Sequence, residues 1–178
     1  MVVKTKSVTP SATSYTITTQ ASFSKDGRHR FLLSYEWDSK APRALVITDY
    51  PGISDGLCSD LTTSLVINNC AKQGFGAVKL VNLFSLIGGI GNKKQYSDGF
   101  TTVTDQVIIL EASKADKVIV GTGAFGVNNK HGKQRQEELL QELKKTGVTS
   151  KIEWLVNNQG KPAHPISVRT KWSLSSII

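Results

Sequence analysis

Apolar and polar side chains alternate along the first structured stretch of the chain. Tyr15 to Phe23 alternates and is rich in Thr and Ile, and Arg30 to Trp37 alternates again. Between them Lys25-Asp26-Gly27 supplies turn chemistry, so the pattern predicts a β-hairpin. Further on, the pattern changes to short apolar runs separated by longer stretches of helical character. Ala44 to Thr48, Ala77 to Leu83, Lys117 to Val120 and Ile152 to Val156 are predicted strands. Asp60 to Lys72, Thr101 to Ser113 and Lys133 to Lys145 are predicted helices. Ser59 is the expected N-cap of the first, and Gly74 and Gly147 are expected to stop the first and third. Strands alternating with helices imply a three-layer α/β fold: a mostly parallel central sheet, helices on both faces, and the hairpin at its edge. The Ser-, Thr- and Lys-rich start is expected to be a flexible N-terminus over 1–14, leaving one α/β domain over 15–178.

Composition adds limits to this picture. A chain of 178 residues, 39% hydrophobic and 20% charged, is long enough and apolar enough for one packed core. No apolar run approaches the roughly 20 residues that span a bilayer, and the start lacks the apolar core of a signal peptide, so a cytoplasmic location without membrane contact is expected. Cys58 and Cys70 are too few for a disulfide framework or a structural zinc site, and reduced thiols are expected. The formal charge of +8 suits a polyanionic partner such as a nucleic acid or nucleotide. The basic residues nevertheless scatter over Lys25 to Arg30, Lys93-Lys94, Lys130 to Arg135 and a tail with Lys161, Arg169 and Lys171, a distribution equally suited to a solvated surface. Oligomeric state is left open.

In open α/β sheets ligands bind beyond the carboxyl ends of the strands, and the candidate chemistry lies there. The first central strand runs into an acidic loop, Thr48-Asp49-Tyr50-Pro51-Gly52-Ile53-Ser54-Asp55, with Asp60 at the next helix start. Asp55 and Asp60 are candidate catalytic carboxylates, with turn formation and helix capping as their structural alternatives. Asn82 ends the next strand, where its amide either reads a ligand edge or pins a loop. Gly121-Thr122-Gly123-Ala124-Phe125-Gly126 matches GxGxxG, but it follows a late strand and Val127 to Gly132 is expected to delay the helix, which argues against dinucleotide binding. Its glycines suit close backbone approach or a tight turn. His164 lies between Pro162 and Pro165, a held imidazole that can donate to a carbonyl or to developing negative charge. No GxSxG elbow, P-loop or His/Cys cluster is present, and no cofactor or metal is called for.

Together these blocks resemble the family called domain of unknown function 1643, over most of the chain from Arg30 to Ile166. Pro51, Asp55, Asp60, Thr62, Asn82-Leu83-Phe84, Gly123, Pro162, His164 and Pro165 keep the family's order and spacing. Tyr50, Leu61, Ile87 and Thr122 depart from it, standing where members have Asn, Pro, Arg and Trp. A second, weaker resemblance is to the uracil-DNA glycosylase superfamily. It implies that Asp55 or Asp60 positions water, Asn82 reads a base, and His164 stabilises the departing base anion, with Tyr50, Pro51, Gly121 and Gly123 about the ligand. The function expected is binding of a nucleobase, nucleotide or nucleic acid at the strand ends, with N-glycosidic cleavage conceivable and enzymatic activity undecided. The alternatives are a non-catalytic phage or mobile-element module that binds DNA or a host protein, and a magnesium-dependent nucleotide hydrolase using Asp55 and Asp60.

Overall fold

The computed structural model describes residues 11–89 and 96–176. Residues 1–10, most of the expected flexible terminus, and Lys93-Lys94 lie outside the described residues. The strands are β1 (Thr18–Phe23), β2 (Arg30–Glu36), β3 (Arg43–Thr48), β4 (Ala77–Asn82), β5 (Lys117–Val120), β6 (Ile152–Val156) and β7 (Ser173–Ser175). The helices are α1 (Leu61–Lys72), α2 (Thr102–Lys114), α3 (Gly123–Asn128) and α4 (Lys130–Lys145). One seven-stranded sheet runs in the order β1-β2-β4-β3-β5-β6-β7.

The hairpin is present: β1 pairs antiparallel with β2, from Thr18 opposite Glu36 to Phe23 opposite Arg30, and β1 forms the sheet edge. The expectation of a mostly parallel sheet is not met. β4, β3, β5 and β6 are mutually parallel, but β1-β2, β2-β4 and β6-β7 are antiparallel, and two isolated bridges among the described residues are antiparallel too. The physical reason lies at the flanks, where a tight hairpin and a short return strand reverse the chain without a crossover helix. β7 has only three residues, Ser-Leu-Ser, and gives no periodic signal.

Side chains on a strand point alternately to opposite faces, and β3 shows what that does here. Leu45 and Ile47 enter a core with Val81, Phe84, Ile108 of α2 and Leu139 and Leu143 of α4. Ala44 and Val46 face the other way, into a core with Leu33, Val78, Val66 and Cys70 of α1, and Trp172. Helical residues thus cover both faces of the sheet.

Helix ends follow local capping chemistry. Asp60, not Ser59, is the N-cap of α1: its Oδ1 accepts from the Thr63 amide at 2.8 Å, while Ser59 Oγ pairs with Ser64 Oγ at 3.0 Å. The third predicted helix starts three residues early because Asn129 caps it, accepting from the His131 and Gly132 amides at 3.0 Å each. Gly74 and Gly147 follow α1 and α4 with φ of 85° and 77°, the left-handed conformation a helix stop requires.

Two arginines from the basic patches are interior groups. Arg135, 2% exposed, donates Nε to the Leu83 carbonyl at 2.9 Å, pairs with Asp105 of α2, and lies 4.0 Å from the centre of the Phe100 ring. It ties α4 to α2 and to the chain leaving β4. Asp105→Ala strands this cation in the core and is expected to cost about 3 kcal/mol. Urea denaturation checks this, and Arg135→Met in the same background should recover most of the loss because no buried charge then remains.

Candidate functional site

The second interior arginine, Arg30, organises the carboxyl ends of the strands. It is 3% exposed at the start of β2. Its Nη1 donates to the Ser54 carbonyl at 2.8 Å and its Nη2 to Asn82 Oδ1 at 3.4 Å. Asn82 in turn donates Nδ2 to Thr48 Oγ1 at 2.8 Å, so the ends of β2, β3 and β4 are joined through side chains. Ser54 continues the chain of bonds: its hydroxyl pairs with Thr63 Oγ1 at 2.9 Å and accepts from the Asp60 amide at 2.8 Å.

Beside this network lies a cavity of about 210 Å³ lined by Arg30, Thr48, Asp49, Tyr50, Pro51, Gly52, Asp60, Thr62, Thr63, Leu80 and His164. Four of the residues named from sequence meet there: Tyr50, Pro51, Asp60 and His164. Tyr50 forms a wall, stacked on Phe84 with ring centres 5.2 Å apart and set edge-on to Phe125 at 5.1 Å. Gly52 is required by Asp60, because a Cβ there would overlap the Asp60 carboxylate.

His164 is fixed by its own turn. Its backbone N–H donates to Ser167 Oγ at 3.1 Å and its Nδ1 accepts from the Ile166 amide at 3.3 Å, so the ring proton belongs on Nε2. Gly123, at φ 56°, lets this segment close on the end of β5, since a Cβ would collide with the His164 backbone. Gly121 packs against Pro165 in the same contact. The glycines of the GxGxxG stretch thus admit protein, and α3 follows Thr122 directly, without the delay expected over Val127 to Gly132.

Other named residues lie elsewhere. Asp55 is exposed and outside the cavity, its Oδ1 accepting from the Leu57 and Cys58 amides at 2.9 and 2.8 Å. Those two bonds, the Cys58 amide first, hold its carboxyl below the usual range. Asn82 is buried with its amide engaged, and it braces Arg30 and Thr48 behind the cavity wall. Thr122 is buried on Gln136. Among the described residues no group of three or more His, Cys, Asp or Glu side chains is arranged to hold a metal.

The cavity's carboxylates titrate in opposite directions. Burial pushes Asp60 upward, but the Thr63 amide, the Ser54 and Thr63 hydroxyls and the Arg30 charge outweigh it and hold the group below its usual value. Asp49 has no such support. Burial raises it to about 8, and its Oδ1 is buried without a hydrogen-bond partner. Arg30 Nε is a second buried atom without a partner, and Tyr35 Oη a third. Burial lowers the His164 pKa, against a smaller upward pull from the Asp60 charge, so its imidazole is neutral near pH 7. Sequence reasoning passed over Asp49 and Arg30. Asp49 carried a usable signal, a carboxylate directly after an apolar strand; Arg30 carried none until its partners were known.

Fold and site together define a three-layer α/β protein with a pocket of ionisable groups at the strand ends. The chain belongs to the family described as proteins of unknown function, DUF1643, whose profile matches residues 30–166. The matched span starts at Arg30 and includes His164, so every residue that lines the cavity falls within it. No curated protein and no solved structure matches the chain.

The shift of Asp49 has a consequence for stability with a definite sign. Between the ordinary value of 3.8 and about 8 the folded protein holds a proton that the unfolded chain releases, so this group's contribution to stability falls as pH rises through that window. Asp49→Asn is expected to stabilise the fold by more than about 1 kcal/mol near pH 8 and to change little near pH 4. Denaturant melts at the two pH values check it; equal effects at both would mean that Asp49 is ionised in the fold.

Proposed function

We propose that the strand-end pocket binds a nucleobase, carried by a nucleoside, a nucleotide or a nucleic acid, and that N-glycosidic hydrolysis is the reaction for which its side chains are suited. The observation that carries this reading is the convergence of Asp60 and His164, remote in sequence, on one cavity with a buried arginine. Volume supports it as well. At about 210 Å³ the cavity is smaller than the roughly 300–1,000 Å³ of sites for drug-sized ligands, and it suits one ring system better than a whole nucleotide. The net charge of +8 suits a ligand that carries phosphate.

The chemistry assigns one task to each group. When the bond between the anomeric carbon and the base nitrogen breaks, its electrons stay with the base. Arg30 and the Nε2–H of neutral His164 stabilise the resulting anion, which then takes a proton from solvent. Positive charge develops on the sugar, and ionised Asp60 opposes it. Water delivers hydroxide to the anomeric carbon and its proton to Asp60. In this reading Asn82 acts through Arg30 and does not touch the base, and the similarity to uracil-DNA glycosylases rests on the block order of the residues alone. Asp55, outside the cavity, has no part in it.

One observation favours a different reading, the non-catalytic phage or mobile-element module that binds DNA or a host protein. Asp60 caps α1 and His164 caps the turn Pro165–Ser167, so each already has a structural occupation. Asp60→Asn separates the two readings, because Asn is as good an N-cap as Asp and lacks the charge. On the hydrolytic reading, base release from nucleosides and from single-stranded or duplex DNA falls at least about 100-fold in Asp60→Asn, measured where circular dichroism shows the variant folded, because losing the charge beside buried Arg30 also costs stability. His164→Ala weakens base binding by about 10-fold. Chromatography of released base and titration calorimetry provide the readouts. Salt-sensitive DNA binding that neither variant alters, with no base bound or released, would establish the interaction module instead.

A further inference from the structure

Asp49 lines the pocket, yet no donor or cation of the described protein answers its carboxyl. Its Oδ1 is buried with no hydrogen-bond partner, and burial is the only influence on its titration, with no neighbouring charge opposing it. Asp60, in the same pocket, shows what the fold does for a carboxylate that it keeps ionised: an amide, two hydroxyls and a cation. Buried polar atoms in native proteins are nearly always satisfied, so an unanswered carboxyl oxygen in a cavity-lining residue marks a place where a ligand supplies the partner once the side chain turns Oδ1 toward the cavity.

A carboxyl without counter-charge in such a place is stable as the neutral acid. In that form it presents an O–H donor and a carbonyl acceptor side by side in one plane. Phosphates and carboxylates, which offer only acceptors, match half of it. A heterocycle with a donor next to an acceptor on one edge, a ring N–H beside a carbonyl or an amino group beside a ring nitrogen, closes both bonds at once.

We propose that Asp49 is the specificity-determining residue of the pocket, pairing through two hydrogen bonds with the adjacent donor and acceptor on the edge of a planar heterocycle. This rests on the nucleobase reading above and assigns the edge recognition, which sequence resemblance had given to Asn82, to a different side chain. Asn82 cannot serve while its amide holds Thr48 and Arg30.

The proposal makes binding depend on pH in a definite direction. The groups around Asp49 are Arg30 from β2, Asp60 from the cap of α1, His164 from the segment after β6, and the adjacent Tyr50. Asp60 titrates below its ordinary value of 3.8 and His164 below 6.5, and Tyr50 is raised to about 12 by burial and then by the Asp49 charge. Arg30 is lowered from its ordinary value by burial, against the pull of the Asp60 charge, and as a guanidinium keeps its proton. Among the carboxyls, imidazole and phenol here, Asp49 is therefore the one that loses a proton between about 6.5 and 9.

Titration calorimetry with free nucleobases, and with a uracil whose two ring nitrogens are both methylated, tests this across that range. Circular dichroism at each pH verifies the fold. The wild type is expected to bind a base near neutrality and to lose at least about 10-fold in affinity by about pH 9, since the ionised acid has no donor. Asp49→Asn keeps a donor and an acceptor without a titrating proton, so it should bind with a flat pH profile. The doubly methylated uracil should not bind. A flat profile in the wild type, or undiminished binding of the methylated base, would overturn the role of Asp49 and leave the nucleobase reading standing. Failure of every base to bind at every pH would remove that reading and this inference with it.

Discussion

A guanidinium buried at the carboxyl ends of the strands sets the shape of everything around it. Taking Arg30 out of water costs several kcal/mol, and the structure offsets that with the nearby Asp60 charge and by delivering acceptors to it from separate parts of the chain. The Ser54 carbonyl comes from the loop after β3, and the Asn82 oxygen comes from the end of β4. Because Asn82 also holds Thr48, the register of three strand ends is tied to one side chain. The loop is pinned at Ser54, whose hydroxyl receives the Asp60 amide, so the first turn of α1 is placed by the same network. The cavity is the space left between this scaffold and the segment carrying His164.

Two carboxylates within this cavity end up chemically unlike for reasons that are local. Asp60 sits where a helix begins, and unpaired amides at that point favour the anion. Asp49 follows immediately on a strand whose last five residues are buried, and no donor reaches its buried Oδ1. No long-range design is needed to separate their proton affinities. A helix start and a strand end brought within one pocket produce a charged and an uncharged acid side by side, the kind of pairing on which acid and base assignments rest.

The parts of the fold that could be read in the sequence are those with a repeating pattern. β5 and β6 coincide with apolar runs bounded by polar residues, and the hairpin announced itself by alternation around a turn. β7 was invisible because three residues make no period, and what holds it is its antiparallel pairing with β6, with Trp172 buried next to it and the Trp172 amide bonded to Asn69. At the site, an acidic loop was recognisable as such, but its members could not be sorted. Asp55 and Asp60 look alike as letters, and only the backbone decides that one closes an exposed turn while the other faces a cavity. Arg30 and Arg135 counted as surface charge for the same reason, since burial depends on Asn82, Leu83 and Asp105, residues brought close only by folding.

The two edge strands, β1 and β7, fall outside the span shared with the family, and every strand between them falls inside it. Two of the three antiparallel pairings therefore involve strands outside that span, and the strands within it form a five-stranded sheet whose last four run parallel. Exposed strand edges invite unwanted pairing with other chains, and a short flanking strand is one way to shield them. β1 covers the free edge of β2 and β7 that of β6, so the strands whose ends frame the cavity have no open edge of their own, and the backbone there is held on both sides.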